Sequence, residues 1–356
     1  MKVLMVTPRI DEEHDVFGFI VTWVNKLAEK VEKLYVISLW SGRAKLKENV
    51  ELFSLDERPN KIAKIVYFSK LMLRLAPKTD VIFCHMFPEF TIMAAPFAKL
   101  FGKPLIMWYT HGHVSLRLKL AHFLATKVTT ASKGSFKIKS NKVVAIGHGI
   151  DTSKFKPSSN FRKRKKTILS VGRISPIKDY ETFIKAANVL VNEKDLHDLD
   201  FIVVGGPATA SDREYYTKIK LLAKNFKLND YIKFIESVPY SNIVNYYQLC
   251  DVFVSTSNTG SLDKVVLEAM ACEKPTLVCN EAFEEVFGEY SSILMFSRND
   301  FTDLADKIIY ILQMDENQRN EMCHNLRKIV EKMHSIESLT DNLVDVFKKL
   351  LKERQK

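Results

Sequence analysis

Two cations stand close together in the segment VGRISPIKDYETFIKA, residues 171–186. Arg173 follows a β-branched run and a glycine, and Lys178 comes five residues later. The run predicts a strand, so both cations are expected at its carboxyl end, before a helix that Asp179 is placed to cap. Two cations at the mouth of a parallel sheet suit the neutralisation of a departing diphosphate. The same spacing also occurs among solvated surface charges, so by itself it leaves both interpretations open.

A second stretch whose residues could take part in chemistry is STSNTGSLDKVVLEAMACEKP, residues 255–275. It predicts a strand that ends near Thr256, a small polar loop over Ser257–Ser261 and a helix that begins near Leu262. The N-terminus of a helix offers free backbone N–H groups to a phosphate. Two turns into this helix lies Glu268, in an otherwise apolar segment where a carboxylate usually has a partner or a task. The alternative is an ordinary surface glutamate.

The elements that position these residues alternate between short β-branched runs and longer stretches of helical period. This alternation is typical of βαβ units and parallel sheets. We therefore predict an α/β protein with two Rossmann-like domains that face each other across a cleft, where ligands bind beyond the carboxyl ends of the strands. The predicted strands are Val3–Thr7, Tyr35–Leu39, Val50–Leu55, Val81–Met86, Pro104–Tyr109, Val128–Ala131, Val143–Ile146, Thr167–Val171, Phe201–Val204, Tyr231–Ile235, Val252–Thr256, Thr276–Cys279 and Ile293–Phe296. The predicted helices include Phe19–Lys30, Ile62–Leu75, Val114–Lys127, Asp303–Gln313, Asn317–Met333 and Ile336–Lys352.

The length of 356 residues also indicates two domains, at roughly 150 residues for each. The βα pattern breaks at Gly147–Pro157, and the basic, polar stretch Ser158–Lys166 that follows is predicted to link the domains. We expect a first domain over residues 1–157, a second over residues 158–335 and a C-terminal helix over residues 336–356.

The composition excludes several classes of protein. With 46% hydrophobic and 27% charged residues, the chain has the balance of a soluble globular protein. The five cysteines are scattered without a CxxC pair, which argues against a disulfide framework or a zinc site and agrees with a reducing cytoplasm. No apolar run approaches the ~18 residues of a membrane span, and a strand-like run follows Met1, so we expect neither a span nor a signal peptide. His111 and His113 have no nearby acid to complete a metal site, so no metal is predicted.

The net charge of +11 is concentrated in the first half of the chain. Residues 1–150 hold 23 Lys and Arg against 12 Asp and Glu, whereas residues 151–356 hold 30 of each sign. From Phe90 to Ile150 there are nine bases and no acid. Such a domain attracts an anionic lipid surface, a nucleic acid or a phosphorylated substrate. Because no nucleic-acid-binding motif occurs, no nucleic acid is expected as a partner.

Taken together, these segments resemble the family 4 glycosyltransferases, which have the two-domain GT-B fold and retain the anomeric configuration. The resemblance covers nearly the whole chain, and the order and spacing of its motifs make it specific. The matching segments are VGRISPIKDYETFIKA, FIVVGG, YIKFIESVPYSNIVNYYQLCDVFVSTS, AIGHGIDTSKFKP and DVFGFIVTWVNKLAE.

The resemblance implies transfer of a sugar from a nucleotide-diphosphate donor to a hydroxyl of a glycan or lipid-linked acceptor, without a metal or other cofactor. The first domain would bind the acceptor, the second the nucleotide sugar, and the last helix would return to the first domain. Arg173 and Lys178 would hold the diphosphate, His111 would face the sugar, and these three form the implied catalytic set. Glu268 would bind the ribose. The other implied donor-binding positions are Gly18, Gly205, Gly260, Ser261 and Leu262.

One position departs from the family pattern. The family has a glutamate on the donor sugar eight residues before the position of Glu268, and this chain has Gly260 there. Asp263 follows three residues later, where helix geometry does not place it at the same point. This departure leaves the identity of the donor sugar undetermined. It also leaves a second interpretation open, an inactive nucleotide-sugar-binding or scaffold protein of the same fold. A nucleotide-sugar 2-epimerase is the other alternative, but the acid-poor stretch supplies few of the carboxylates that it needs.

Two predicted helices of the first half combine apolar and basic side chains. One has bases at i, i+4 and i+8, at Lys70, Arg74 and Lys78, next to Leu71, Met72 and Leu75. The other sets four apolar residues beside two bases, and these are Leu116, Leu120, Phe123, Leu124, Arg117 and Lys119. Such helices lie on anionic bilayers, unless their apolar faces pack on the sheet and the lysines are merely solvated. We therefore expect a cytoplasmic protein with the inner face of the membrane as one candidate partner.

Overall fold

The computed structural model describes residues 1–158 and 165–355. Within them the chain forms two compact units. The first unit consists of Met1–Asp151, Pro239–Ser241 and Met333–Lys356, and the second of Thr152–Val238 and Asn242–Lys332.

Strands and helices alternate along both units. The strands are β1 (Lys2–Ile10), β2 (Lys33–Ser41), β3 (Val50–Ser54), β4 (Val81–His85), β5 (Leu105–Trp108), β6 (Lys127–Thr130), β7 (Val143–Ala145), β8 (Lys166–Val171), β9 (Leu199–Val204), β10 (Ile232–Ile235), β11 (Val252–Ser255) and β12 (Thr276–Val278). The helices are α1 (Phe19–Ala28), α2 (Lys61–Leu75), α3 (Pro88–Leu100), α4 (Leu116–Leu124), α5 (Tyr180–Asn188), α6 (Ala210–Asn225), α7 (Ile243–Leu249), α8 (Lys264–Ala271), α9 (Glu284–Phe287), α10 (Ser291–Leu294), α11 (Phe301–Gln313), α12 (Glu316–Ile329) and α13 (Ile336–Gln355).

The first unit is built on a parallel sheet of seven strands in the order β3-β2-β1-β4-β5-β6-β7. Successive residues of a strand point to opposite faces, so the apolar run of β1 is buried on both. Val3 and Met5 pack with α1 and α13, whereas Leu4 and Val6 pack with α2 and α3. The α2–α3 layer continues over β5 and β6 as α4, whose Leu118 joins Met107 in a third cluster. Helices α2, α3 and α4 therefore cover one face of the sheet, and α1 and α13 cover the other.

The second unit contains a parallel sheet of five strands in the order β10-β9-β8-β11-β12. The chain builds outward from β8 in one direction and then returns to place β11 on the other side of β8. The strand order therefore reverses between β8 and β11. At such a switch point the connections leave in opposite directions and open a crevice at the carboxyl ends of the strands.

Twelve of the thirteen predicted strands are present, and the one over Ile293–Phe296 is wrong. The chain there forms α10, and only Met295 makes a single parallel bridge to Val278 of β12. A short apolar run fits a buried helix as well as a strand, and the three-residue edge strand offers few backbone groups for pairing. The helix predicted over Val114–Lys127 is shorter, because Ala125 is extended and β6 begins at Lys127.

The boundary between the units lies before Thr152, earlier than the predicted one after Pro157. Two carbonyls in this stretch accept hydrogen bonds from Arg327 of α12, that of Thr152 at 3.2 Å and that of Phe155 at 3.0 Å. The Phe155 ring is fully buried and contacts the ring of Tyr247 edge-on. These contacts tie the stretch to the second unit. Residues 159–164 of the predicted linker lie outside the described residues.

The last helix, α13, is part of the first unit. Its apolar side Leu339, Leu343 and Phe347 is fully buried with α1 and the sheet. A salt bridge of Lys26 on α1 with Glu337, and one of Lys30 just after α1 with Asp341, flank this contact. Over residues 1–158 and 165–355, we find no helix with both the length and the apolar character to cross a membrane.

Candidate functional site

The loops that follow β8 and β11 meet at the switch point of the second sheet. They comprise residues 172–179 and residues 256–263. Thr256 Oγ1 donates to the backbone carbonyl of Lys178 at 2.6 Å, and the Asn258 N–H donates to the carbonyl of Ile177 at 3.1 Å. These bonds hold the two loops together although they lie far apart in the sequence. The predicted cap is confirmed, because the Asp179 carboxylate accepts from the Thr182 N–H at the start of α5.

Two glycines bring the ends of β8 and β9 into contact. Gly172 has φ +151° and Gly205 has φ +147°, a backbone region that favours glycine. A Cβ on Gly205 would overlap the backbone carbonyl of Gly172. In the structure, Gly205 therefore permits this close backbone approach, next to Arg173 at the carboxyl end of β8.

Lys178 is held by an acid on the neighbouring loop. Its ammonium donates to Asp263 Oδ1 at 3.0 Å and to Ser257 Oγ at 3.2 Å. Only 18% of the Lys178 side chain and 11% of the Asp263 side chain are exposed. The second carboxylate oxygen of Asp263 is buried and has no hydrogen-bond partner among the described residues. Sequence reasoning missed this pair, because 85 positions separate its members and only the pairing of β8 with β11 joins their loops.

Arg173 differs from Lys178 in its exposure to solvent. About half of its side chain is exposed, and its Nε lies 4.0 Å from Asp212 Oδ2. That carboxylate is also engaged at the N-terminus of α6, where it accepts from the Thr209 N–H at 3.1 Å. An ion pair at this distance and exposure is weak. The guanidinium is therefore accessible to an anion at the switch point.

A hydrogen bond from the side chain of Asn280 holds the loop before α8. The side-chain amide of Asn280 donates to the carbonyl of Ser261 at 2.7 Å, and Ser261 and Leu262 are both buried. Helix α8 begins at Lys264, two residues later than predicted, and Asp263 occupies the N-cap position without capping it. Gly260 has φ +65°, and a Cβ added there would meet no atom within 4 Å. Space is therefore open where the family has a glutamate.

Glu268 is a buried carboxylate of α8, so the interpretation as a surface glutamate is wrong. Only 3% of the residue is exposed. It accepts a hydrogen bond from the Tyr247 hydroxyl at 2.9 Å, and the Lys264 ammonium lies 3.5 Å from its other oxygen. A buried carboxylate is stable when hydrogen bonds and a cation compensate for lost hydration. Neither partner was predicted, although Lys264 stands at i,i+4 spacing, which is a recognisable signal.

The remaining predicted residues, Gly18 and His111, belong to the first unit. Gly18 precedes α1, and a Cβ there would lie 2.7 Å from the His14 carbonyl oxygen and 2.7 Å from Tyr240 Cβ. His111 follows β5 and is exposed, and its Nδ1 accepts the His113 N–H at 3.0 Å. In the neutral ring the proton therefore lies on Nε2, which is a donor. Among the described residues, no three His, Cys, Asp or Glu side chains are grouped to hold a metal ion.

Comparison with known proteins identifies a family and several relatives of this chain. Residues 151–333 match the family described as glycosyl transferases group 1. The chain is also similar to the putative glycosyltransferase YtcC of Bacillus subtilis, with 29% identity over 197 residues, which are 54% of this chain and 47% of that protein. Across the first five curated relatives, the matched stretch spans between 33% and 65% of the relative's length.

Solved structures share the fold over the whole chain. One is Anabaena Alr3699/HepE in complex with UDP and glucose, with 16% identity and a TM-score of 0.76, covering 98% of this chain and 99% of that one. Another is sucrose-phosphate synthase from Thermosynechococcus elongatus, with 16% identity and a TM-score of 0.80, covering 99% and 100%. The predicted α/β class with two Rossmann-like domains is confirmed.

Proposed function

The chain belongs to the glycosyl transferases of group 1, and from this premise we propose that it is a retaining enzyme that moves a sugar from a nucleoside diphosphate to a hydroxyl of a glycan or lipid-linked acceptor. The main support is the arrangement at the switch point, where Arg173 and Lys178 lie at the edge that carries the N-terminus of α8. A buried carboxylate, Glu268, stands on that helix. Uridine is the first base to test, since Alr3699/HepE, which shares the fold, was solved with UDP.

The cations act on the charge that develops in the leaving group. As the bond between the sugar carbon and the diphosphate oxygen breaks, its electron pair goes to that oxygen. Arg173, Lys178 and the positive end of the α8 dipole stabilise this charge, so the proposed mechanism needs no metal. The acceptor oxygen bonds to the same sugar carbon, and its proton passes to the departing diphosphate oxygen. No side chain is assigned as general base.

Glu268 is proposed to accept hydrogen bonds from the ribose hydroxyls. Tyr247 and Lys264 hold the carboxylate on both of its oxygens, which fixes its orientation without a rearrangement on binding. In the first unit, His111 is proposed to face the donor sugar, and Gly18 to bring the backbone of its turn close to the donor. These two assignments rest on the resemblance of their motifs to the family.

One observation favours a second candidate function. Gly260 replaces the glutamate that the family places on the donor sugar, which is consistent with a protein that binds a nucleotide sugar without turning it over. The residues proposed to bind the diphosphate, Arg173 and Lys178, are present, and so is Glu268 for the ribose. Their presence supports an active enzyme with an altered sugar pocket.

Calorimetric titration with UDP, GDP and ADP tests the nucleotide site. Arg173→Ala removes one charge-assisted contact and should weaken binding by about 1.5–3 kcal/mol, roughly ten- to a hundredfold. Lys224→Ala, at the far end of α6, removes an exposed cation of the same unit as the control and should leave binding unchanged. If none of the three nucleotides binds, the proposal fails.

Turnover separates the two candidate functions. Release of free nucleotide from a panel of UDP-, GDP- and ADP-sugars, with and without acceptor hydroxyls, measures transfer directly. Tight binding of a nucleotide with no release from any donor would favour the binding protein. Activity that persists in a chelator would support the metal-independent mechanism.

On the acceptor side, we propose that the first unit works at an anionic membrane surface. The excess of basic residues in this unit and the apolar residues on its helices support that partner.

A further inference from the structure

The outer surface of α2, α3 and α4 exposes an unusual amount of apolar side chain. Of the fifteen large apolar side chains that are exposed among the described residues, nine lie on these three helices. They are Ile62, Ile65, Val66, Leu73, Leu100, Leu116, Leu120, Phe123 and Leu124. Leu116 is 82% exposed, and Ile62 and Phe123 are each 75% exposed. We call these nine residues the outer apolar surface.

These residues are additional to the apolar faces that pack on the sheet. The α2 residues Leu71, Met72 and Leu75, which suggested a membrane face in the sequence, are buried core residues. In α4, Leu118 and Ala121 fill the same role. Each of these helices therefore has two apolar rows. The inner row packs on the sheet, and the outer row faces solvent and is available to a membrane.

Positive charge is interspersed with the outer apolar surface. Helices α2 and α4 contain no acid, and their bases are Lys61, Lys64, Lys70, Arg74, Arg117 and Lys119. The only acid of the three helices is Glu89 on α3, and Arg117 neutralises it at 2.8 Å. An apolar surface with bases and almost no acids matches an anionic lipid–water interface, which offers both hydrocarbon and negative charge.

A groove opens on the same surface. It has a volume of about 670 Å³ and lies between the second half of α3, the end of α4 and the start of β5. Ile92, Ala95 and Leu124 give it an apolar lining, and Leu124 is also part of the outer apolar surface. The groove is at the amino end of β5, whereas His111 follows the carboxyl end. It is therefore separate from the proposed sugar contact of this unit.

Three cations line this groove, Lys99, Lys103 and Arg354. None of them has an ion-pair partner among the described residues, and Lys103 donates only a long hydrogen bond of 3.4 Å to the Pro77 carbonyl. The Arg354 guanidinium lies beside Gly102, at the turn between α3 and β5. An apolar groove with unpaired cations fits a molecule that has a hydrocarbon part and an anionic group.

We propose that the outer apolar surface docks on an anionic bilayer and that the groove holds one phospholipid. Its acyl chain packs against Ile92, Ala95 and Leu124, and its phosphate is bound by Lys99, Lys103 and Arg354. A second copy of the chain is a poorer occupant, because it would bring the same bases into opposition. This contact deepens the membrane association proposed above for the first unit and rests on it, but it does not depend on nucleotide binding.

Vesicle sedimentation of the full chain tests the docking surface. We expect binding to phosphatidylglycerol-containing vesicles, no binding to pure phosphatidylcholine vesicles, and loss of binding at high salt. Leu116→Ser with Phe123→Ser should lower the partition coefficient at least tenfold. The matched control is Leu221→Ser, which removes an exposed leucine of the second unit and should change nothing. Because all three side chains are exposed, none of these variants disturbs the core.

A second pair of variants tests the groove. Lys99→Gln with Lys103→Gln should weaken binding by about fivefold for each base, roughly 25-fold together. Lys224→Gln in the second unit is the charge-matched control. Nucleotide titration should give the same affinity for every variant, so a failed donor site would appear there and not in sedimentation.

Several results would overturn the proposal. Equal binding to both kinds of vesicle, no binding, or an equal loss in the controls would each do so. A dimer in gel filtration that Leu116→Ser with Phe123→Ser dissociates would assign the surface to a second copy, and binding of an acidic protein instead of vesicles would assign it to a protein partner. Full binding by the double lysine variant would remove the phospholipid from the groove.

Discussion

Replacing Lys178 by methionine is expected to affect folding and nucleotide binding through two separable interactions. In the folded protein its ammonium donates to Asp263 at 3.0 Å, and both side chains are largely buried. Lys178→Met leaves the Asp263 carboxylate buried without its cation. In the same step it removes one of the two cations that are proposed to bind the diphosphate.

The burial of the pair sets the magnitude of the stability effect. Removal of one partner from a fully buried ion pair costs about 3–5 kcal/mol of stability. Because 18% of the Lys178 side chain is exposed, water can reach the pair, and we expect a loss of about 2–3 kcal/mol. For UDP, loss of a charge-assisted contact should weaken binding roughly ten- to a hundredfold.

Variants of Asp263 separate the two effects. Lys178→Met with Asp263→Asn leaves no unpaired charge, so most of the stability should return. The affinity for UDP should stay low, since the cation is still absent. Asp263→Asn alone keeps the cation and removes a negative charge next to the diphosphate position, so UDP should bind about three- to tenfold more tightly.

Urea unfolding and UDP calorimetry on the four proteins of this cycle provide the measurement. A loss of less than about 0.5 kcal/mol in Lys178→Met, within the range of ordinary surface substitutions, would refute the stabilising role of the ion pair. A double variant that regains UDP affinity along with stability would refute the separation of the two effects, because they would then share one cause.

Three further predictions concern buried groups. Glu268→Gln should weaken UDP binding about tenfold and leave pyrophosphate binding unchanged in calorimetry, because only the ribose contact is altered; an equal loss for both ligands would contradict the ribose assignment. Phe347→Ala should lower the free energy of unfolding by about 3–5 kcal/mol in urea, since this fully buried ring of α13 packs on Phe83, and a loss below about 1 kcal/mol would argue against that packing. Burial lowers the pKa of His334 to about 4, so its contribution to stability is complete above pH 6.5 and is lost as the pH falls towards 4, by about 3 kcal/mol in total. In His334→Phe, the free energy of unfolding should depend less steeply on pH between 6.5 and 4. An unchanged slope would show that His334 is not the group responsible.

The sequence by itself determined the class of fold and most of its elements. Parallel strands buried on both faces require continuous β-branched runs, and the helices between them require an apolar stripe, so both leave a local pattern. The cap at Asp179 is equally local, since it depends on a residue three positions away. The prediction over Ile293–Phe296 failed because a run of four apolar residues is too short to show the periodicity that distinguishes a strand from a short helix.

Only the tertiary structure decided which side chains meet. Lys178 pairs with Asp263, and Glu268 with Tyr247, because sheet pairing and helix packing bring distant segments together. The tertiary structure also decided which apolar residues of α2 and α4 face the sheet and which face solvent, since both rows are apolar. Residue type and spacing record what a segment can form, whereas contacts between segments depend on the order of strands in the sheet, which no local pattern encodes.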